Sequence, residues 1–408
     1  MKRWMKQLTA LLLAAGMVFS LAACGVKAEN LMDGVRSQSV PEIPMEDADR
    51  AAMADFGLRL LDRTAGENPL ISPLSIMTAL GMTVNGAEGE TLEQMESVLG
   101  MDRERLNSVL HTYLNTVEGK NFHAANSIWF ADREDFSVNG DFLQTNADYY
   151  GAELYKAPFD VGTVNEINRW VKKHTRGMIP EILSELSPEA VMCLVNALAF
   201  EDKWQEPYEK HQIDPRDFHR ADGSVVSLDF LRRDESLWLE GENCTGFLKP
   251  YKNGRYAFAA LLPAEGTTPE QLAAFLDGSA LHGILADKEQ ETVFTAIPKF
   301  KVQYGVELKE LLKDMGMPLA FGQAADFSGL GVSQAGPISI GSVVHRTFLE
   351  LDEQGTKAAA ATAAVPDATS SAPEEIRKVI LDRPFLYMLV DTRENVPFFL
   401  GIMDDPTA

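Results

Sequence analysis

The side chains best suited to acid–base or metal chemistry are seven histidines: His111, His123, His174, His211, His219, His282 and His345. None pairs with a carboxylate at helical spacing in the way a metal site requires. The chain has no Gly-x-Ser-x-Gly elbow, no P-loop, no Gly-x-Gly-x-x-Gly turn after a strand and no His-Glu-x-x-His pair. No metal, no cofactor and no enzymatic reaction is therefore expected. His345 follows Val343 and Val344 and reads as a core histidine with both ring nitrogens satisfied by neighbours. The 60 carboxylates would supply a chance acid pair on any fold, so they carry no catalytic information. Against 37 basic residues they give a formal net charge of −23, which repels phosphates and excludes a nucleic-acid partner. One segment of unusual composition remains. Residues 356–364 read Thr-Lys-Ala-Ala-Ala-Ala-Thr-Ala-Ala, and Val365-Pro366-Asp367-Ala368-Thr369-Ser370-Ser371-Ala372-Pro373 follows.

Three cysteines build no disulfide framework, and no Cys-x-x-Cys pair suggests zinc. Cys24 has a distinct context. Lys2, Arg3 and Lys6 precede an apolar run that ends in Leu21-Ala22-Ala23-Cys24. The pattern is that of a secretory signal, and its end resembles the lipobox of bacterial lipoproteins. The resemblance implies removal of residues 1–23 and acylation of Cys24, against an ordinary signal cut nearby that leaves a stray thiol. Residues 1–23 hold three basic and no acidic residues, so the mature chain carries 34 basic against 60 acidic residues, or −26. Lipid chains would hold the protein at a membrane surface, outside the cytoplasm. Residues 24–46, with Pro41, Pro44 and few large apolar side chains, read as a flexible tether. For Cys193 and Cys244, a disulfide and two buried free thiols both remain open.

The elements that must hold the odd segment follow from periodicity. Apolar residues recur at helical spacing over 47–61, Ser72-Pro73 opens a second helix, and 88–99 and 164–175 form two more. Strand-like runs occupy 257–262, 292–297, 379–390 and 398–402. Helices come early and strands late, which is an α+β pattern. With 45% hydrophobic and 24% charged residues and no long linker after residue 46, residues 47–408 read as one globular domain.

Alanine favours helix, but residues 356–364 lack an apolar stripe, follow Gly355 and run into Pro366. A nine-residue helix is marginal on its own, and a disordered linker would be out of place deep within a domain. With period two, Thr356, Ala358, Ala360, Thr362 and Ala364 share one small uncharged face. Lys357 and Asp367 lie on the other. The segment can therefore live as an exposed loop and also enter a sheet as a strand.

Residues 47–408 resemble the serpins. The resemblance rests on Asn68-Pro69-Leu70-Ile71-Ser72-Pro73-Leu74-Ser75-Ile76, Gly86-Ala87-Glu88-Gly89-Glu90-Thr91 and Ala125-Asn126-Ser127-Ile128-Trp129. It continues through 165–175, Leu194-Val195-Asn196-Ala197, Lys203-Trp204, Pro298-Lys299-Phe300 and Ala325-Asp326-Phe327-Ser328-Gly329. Val344-His345, Arg383-Pro384-Phe385-Leu386 and Phe399-Leu400-Gly401 complete it. It implies helices packed on a large central mixed sheet, further sheets, and an exposed reactive loop at about 353–376. Glu353, Gly355, Thr356, Ala358, Ala360 and Thr362 match the hinge of inhibitory members. Lys357 departs from it, since an acidic residue is usual there, but its odd parity points it to solvent and little effect is expected. Glu201-Asp202 before Lys203-Trp204, where the family usually has a basic or glycine residue, is a separate departure that does not touch the hinge. Ser72, Ser75, Asn196 and His345 match the shutter beneath the sheet, Trp204 the breach at its top, and Lys299–Glu353 an ion pair there.

The implied activity is suicide-substrate inhibition of serine endopeptidases, by a monomer whose cut loop inserts into the central sheet and leaves the protease as a covalent acyl complex. Counting seventeen residues from Glu353 puts the acyl residue at Thr369 and the bond before Ser370; Ser370–Ser371 and Ser371–Ala372 are the alternatives. All are small and uncharged, which suits elastase-like or subtilisin-like targets and not trypsin-like ones. Two rival functions are inhibition of papain-like cysteine proteases and a non-inhibitory surface binding protein of the same fold.

Overall fold

The computed structural model describes residues 28–117, 121–187, 189–334, 336–356 and 376–408. In chain order the helices are α1 (Asp47–Asp62), α2 (Pro73–Val84), α3 (Gly89–Leu99), α4 (Arg103–Val117) and α5 (Gly140–Tyr150). Then come α6 (Val161–His174), α7 (Pro269–Phe275), α8 (Gly278–Ala286) and α9 (Lys309–Met315). The strands are β1 (Glu29–Asn30), β2 (Leu70–Ile71), β3 (Phe122–Ala131), β4 (Phe136–Val138), β5 (Glu153–Ala157), β6 (Met192–Phe200) and β7 (Asp202–Lys203). They continue with β8 (Ile213–His219), β9 (Val225–Gly241), β10 (Cys244–Pro250), β11 (Tyr256–Pro263), β12 (Glu289–Pro298) and β13 (Phe300–Glu307). The last are β14 (Gly331–Ser333), β15 (Ile340–Leu351), β16 (Gly355–Thr356), β17 (Arg377–Ile380), β18 (Phe385–Asp391) and β19 (Val396–Met403).

Local chemistry sets the helix that matters most. Ser72 caps α2 by accepting the Ser75 N–H, and Pro73, which has no N–H to satisfy, fills the first turn. Every residue of α2 is buried, because the helix runs beneath a sheet rather than along the surface.

The central sheet has the order β1-β5-β3-β6-β15-β16-β7, with β13 on the free edge of β15. At its centre β6 and β15 pair in parallel, Met192 with Ile340 and onward to Ala199 with Phe348. Both neighbours of that seam are antiparallel: β3 on β6 and β13 on β15. All nine residues of β6 are buried, since α2 lies against one face and α6 against the other. Between α6 and the sheet, Val164, Ile167, Val171 and Ile179 pack on Trp129, Val195, Ala197, Ala199 and Phe348. A second sheet, β17-β12-β9-β10-β11-β18-β19-β2, closes the main core. The α+β architecture expected from the sequence is present.

Two expectations need correction, and one open choice is resolved. The tether read over 24–46 does not extend through its described part, residues 28–46. Glu29 and Asn30 pair with Lys156 and Tyr155 of the edge strand β5, and the Leu31 N–H donates to the Leu154 carbonyl. The Ile43 N–H donates to Thr112, Gln144 donates to the Arg36 carbonyl, and Met45 is buried. An open sheet edge with unpaired backbone groups can order a segment whose own side chains carry little apolar signal. Second, the run 379–390 is two strands, β17 and β18, because Pro384 interrupts pairing. Of the two states left open for Cys193 and Cys244, the free one holds, and burial pushes the thiols up to about 12 and about 11.

Candidate functional site

The site is the β6/β15 seam, what pins it from below, and what stands at its end. Beneath the seam, His345 of β15 and Asn196 of β6 are register partners and bond to each other side chain to side chain. The Ser72 N–H at the head of α2 donates to His345 Nε2 at 3.1 Å, so the ring proton sits on Nδ1 and is donated to Asn196 Oδ1. Asn196 Nδ2 in turn donates to the Ser75 carbonyl and Oγ, both at 2.6 Å, and to Asn126 Oδ1 of β3 at 2.5 Å. Ser75 Oγ donates to the same Asn126 oxygen at 3.1 Å. Burial holds the imidazole pKa down at about 3, which keeps it neutral. Thus Ser72, Ser75, Asn196 and His345 form one network tying three adjacent strands to α2. Asn126 belongs to it and was not singled out from sequence as a site residue; it shares its strand with His123 and Ser127, so its polarity alone did not mark it.

The other residues gather where the seam ends. After Leu351 the chain turns back: the Asp352 carboxylate accepts the N–H groups of Gln354 and Gly355, and the Asp352 N–H donates to the Gly355 carbonyl. Gly355 has φ +154°, and a β-carbon there would lie 2.2 Å from the Asp202 carbonyl oxygen, so only glycine fits. Thr356 lies between two strands, opposite Leu351 on one side and Asp202 on the other. Its side chain is fully buried and its hydroxyl bonds the Tyr251 hydroxyl. Trp204 spans the turn from below. Its indole N–H donates to the Asp352 carbonyl and its backbone N–H to the Gln354 carbonyl, both at 2.9 Å. The Trp204 ring stacks on Tyr251 with centroids 4.6 Å apart.

Lys299 and Glu353 pair at 2.8 Å, and that contact holds the Glu353 carboxyl below its usual range. Both side chains are about a third exposed, so the pair is worth roughly 0–1 kcal/mol. Beneath Trp204 the ammonium of Lys249 is buried between the rings of Trp204 and Tyr208 and bound to Glu235 at 2.7 Å. Nothing in the sequence pattern marked Lys249 or Tyr251, because both meet the site only through the packing of the two sheets.

Arg377 begins β17. Its guanidinium lies 4.6 Å over the Trp238 ring and contacts Glu240, Glu289 and Glu291. A side chain so engaged is a poor bait for a trypsin-like pocket. Ala358, Ala360, Thr362, Thr369, Ser370, Ser371, Ala372 and Cys24 lie outside the described residues. No cluster of His, Cys, Asp and Glu able to hold a metal occurs among the described residues.

Among the described residues the arrangement is a parallel seam tied to α2 by a polar network, with Thr356 seated between strands at its end. Comparisons with known proteins give the family and the fold. Residues 51–406 match the family model described as serpin (serine protease inhibitor). Iripin-3 of Ixodes ricinus is 31% identical over 379 residues, which cover 87% of this chain and 95% of that protein. A serpin-like protein of Thermococcus kodakarensis is 30% identical over 368 residues, 87% of this chain and 85% of its own. The crystal structure of the thermophilic serpin tengpin in its native state superposes with a TM-score of 0.89 at 40% identity, covering 93% of this chain and 100% of that one. The latent-state structure of tengpin fits less closely, at 0.78. With that fold, that seam and those matches, this chain belongs to the serpin family.

Proposed function

We propose that the protein is an irreversible suicide-substrate inhibitor of serine endopeptidases. The observation that carries this reading is the register at Thr356. Continuing its antiparallel pairing with β15 puts Ala358 opposite Leu349, Ala360 opposite Thr347, Thr362 opposite His345 and Ala364 opposite Val343. All four partners are buried, and directly opposite residues point to the same face. The inward positions of an inserted arm are therefore alanine or threonine throughout. The count along β7 and β6 brings Thr362 opposite Asn196, and β15 already pairs His345 with Asn196, so both sides of the slot close on one register.

Insertion exchanges one parallel pairing for two antiparallel ones, which are the more stable. At about 0.5–1.5 kcal/mol per hydrogen bond, a dozen residues paired on both sides gain on the order of 10 kcal/mol. That rivals the stability of a whole domain, so the uncut state is held kinetically. In the inhibitory step the protease serine attacks the Thr369 carbonyl, the Ser370 amine leaves with a proton, and an acyl ester joins Thr369 to the enzyme. The freed arm then inserts and drags the acylated protease along before water can release it.

Small uncharged bait residues favour elastase-like or subtilisin-like targets. Acylation at Cys24 anchors the monomer to the outer face of a bacterial membrane. A protease panel read on denaturing gels, with mass spectrometry of the cut loop, tests the reading. A stable complex with an elastase-like or subtilisin-like enzyme supports it. Clean cleavage without a complex by every serine protease, or inhibition through a cut after Arg377 or Lys378, contradicts it.

A further inference from the structure

The N-terminal segment enters the central sheet at a place with consequences for capture. Following the ladder across the sheet, Glu29 pairs with Lys156, Lys156 with Phe130, Phe130 with Met192 and Met192 with Ile340. Glu29 is therefore level with the start of β15, at the pole opposite Thr356. Only Gly25, Val26 and Lys27 separate Cys24 from Ala28, whose N–H donates to Glu166 of α6 at 3.1 Å. Four residue steps span at most about 14 Å, so a lipid on Cys24 brings this pole against the bilayer and turns the reactive loop away from it.

Insertion reverses the second of these relations. By the register of Thr356, Thr369 comes opposite residue 338, two residues beyond Ile340 and about 44 Å down the sheet from Thr356. It then stands level with the start of β1 and four strand spacings away, about 19 Å. A protease domain of about 200–250 residues has a radius of gyration of about 16–18 Å and is more than 40 Å across. Such a body does not fit beside a lipid link of about 14 Å.

We infer that residues 28–46 act as a strap, docked on β5 and α5 until capture and pulled free when the protease arrives between this pole and the membrane. This rests on the inhibitory and lipid-anchored reading above. The strap is held by short contacts spread along it. They are two residue pairs at β1 and the Leu31 N–H to the Leu154 carbonyl, and single hydrogen bonds from Ala28 to Glu166, Gln38 to Asp148, Gln144 to Arg36, Ile43 to Thr112 and Arg105 to the Pro44 carbonyl. Leu31, Met32, Ile43 and Met45 also pack on the core. Freed back to α1, the 23 steps from Cys24 to Asp47 reach up to about 75 Å, enough to clear the protease.

The test compares full-length lipidated protein in phosphatidylethanolamine–phosphatidylglycerol vesicles with soluble Cys24→Ser protein, each with and without a disulfide staple. The staple is Glu29→Cys with Lys156→Cys, which are directly opposite in register and within bridging range for an antiparallel pair. On vesicles the oxidised staple should cut the yield of covalent complex several-fold and raise turnover of the protease as substrate, and dithiothreitol should reverse this. In the soluble protein the staple should change nothing. Full complex yield from the stapled protein on vesicles overturns the inference while leaving the inhibitory reading intact, as does an equal loss in the soluble form. Failure of the unstapled lipidated preparation to float with vesicles overturns it through the anchor, and absence of any complex from the soluble protein overturns it through the inhibitory reading.

Discussion

In the proposed insertion, two residues are placed to decide whether the seam opens correctly. Thr356 is already in place between β15 and β7 with no exposed surface. Thr356→Arg would drive an unpaired guanidinium into that site at a cost of several kcal/mol. The variant should still be cut by the target protease but form little or no denaturation-resistant complex, a switch from inhibitor to substrate visible on one gel. His345 sets a pH limit. The folded chain refuses its proton until about pH 3, whereas the unfolded chain takes it near pH 6.5. The unfolded state thus binds more protons across that window, and stability, complete above pH 6.5, falls as pH drops, by up to about 1.4 kcal/mol per unit. Spontaneous loss of inhibitory capacity should therefore speed up below pH 6.5, and His345→Gln should show a shallower pH slope. Equal slopes would take His345 out of the polar network.

At the scale of elements, the hinge departure at Lys357 and the separate departure at Glu201 come together in the proposed insertion register, which gives Lys357 more weight than its solvent-facing parity implied. Residue 357 of an inserted arm falls opposite Glu350 on β15 and opposite Glu201 beside β7. Lys357 would enter between two carboxylates whose present partners are distant, Lys301 at 3.9 Å and His123 at 4.0 Å. Lys357→Glu should place three like charges in a row and slow insertion. The measured stoichiometry of inhibition should rise, and Glu201→Lys in the same chain should bring it back; no change in the single variant would break the proposed register. Helical periodicity early, strand-like runs late and Pro73 after its cap made the α+β plan readable in the sequence, and the resemblance motifs around Ser72, Asn196 and His345 pointed to the seam. The docking of residues 28–46 was not readable, because two backbone pairs on an open edge need no side-chain signature. Tyr251, Asp352 and Lys249 were equally silent: a hydroxyl beneath Thr356, a turn-capping carboxylate and a buried ammonium acquire meaning only once two sheets pack together.

For the molecule as a whole, the proposed mechanism requires the described state to be the less stable of two arrangements of one chain. Cutting the loop should therefore stabilise it, against the usual effect of a nick. A gain on the order of 10 kcal/mol in a domain of this size corresponds to a rise in Tm of roughly 10–20 °C, measurable by calorimetry before and after limited proteolysis near Thr369. A serpin that had kept the fold without the inhibitory transition would melt at the same temperature in both forms. The most direct test is a crystal structure of the cleaved protein. The register seen here predicts residues 356–364 as a new central strand, with Thr362 standing between His345 and Asn196 and their hydrogen bond broken. A cleaved structure with β6 and β15 still paired, and those two side chains still joined, would contradict it.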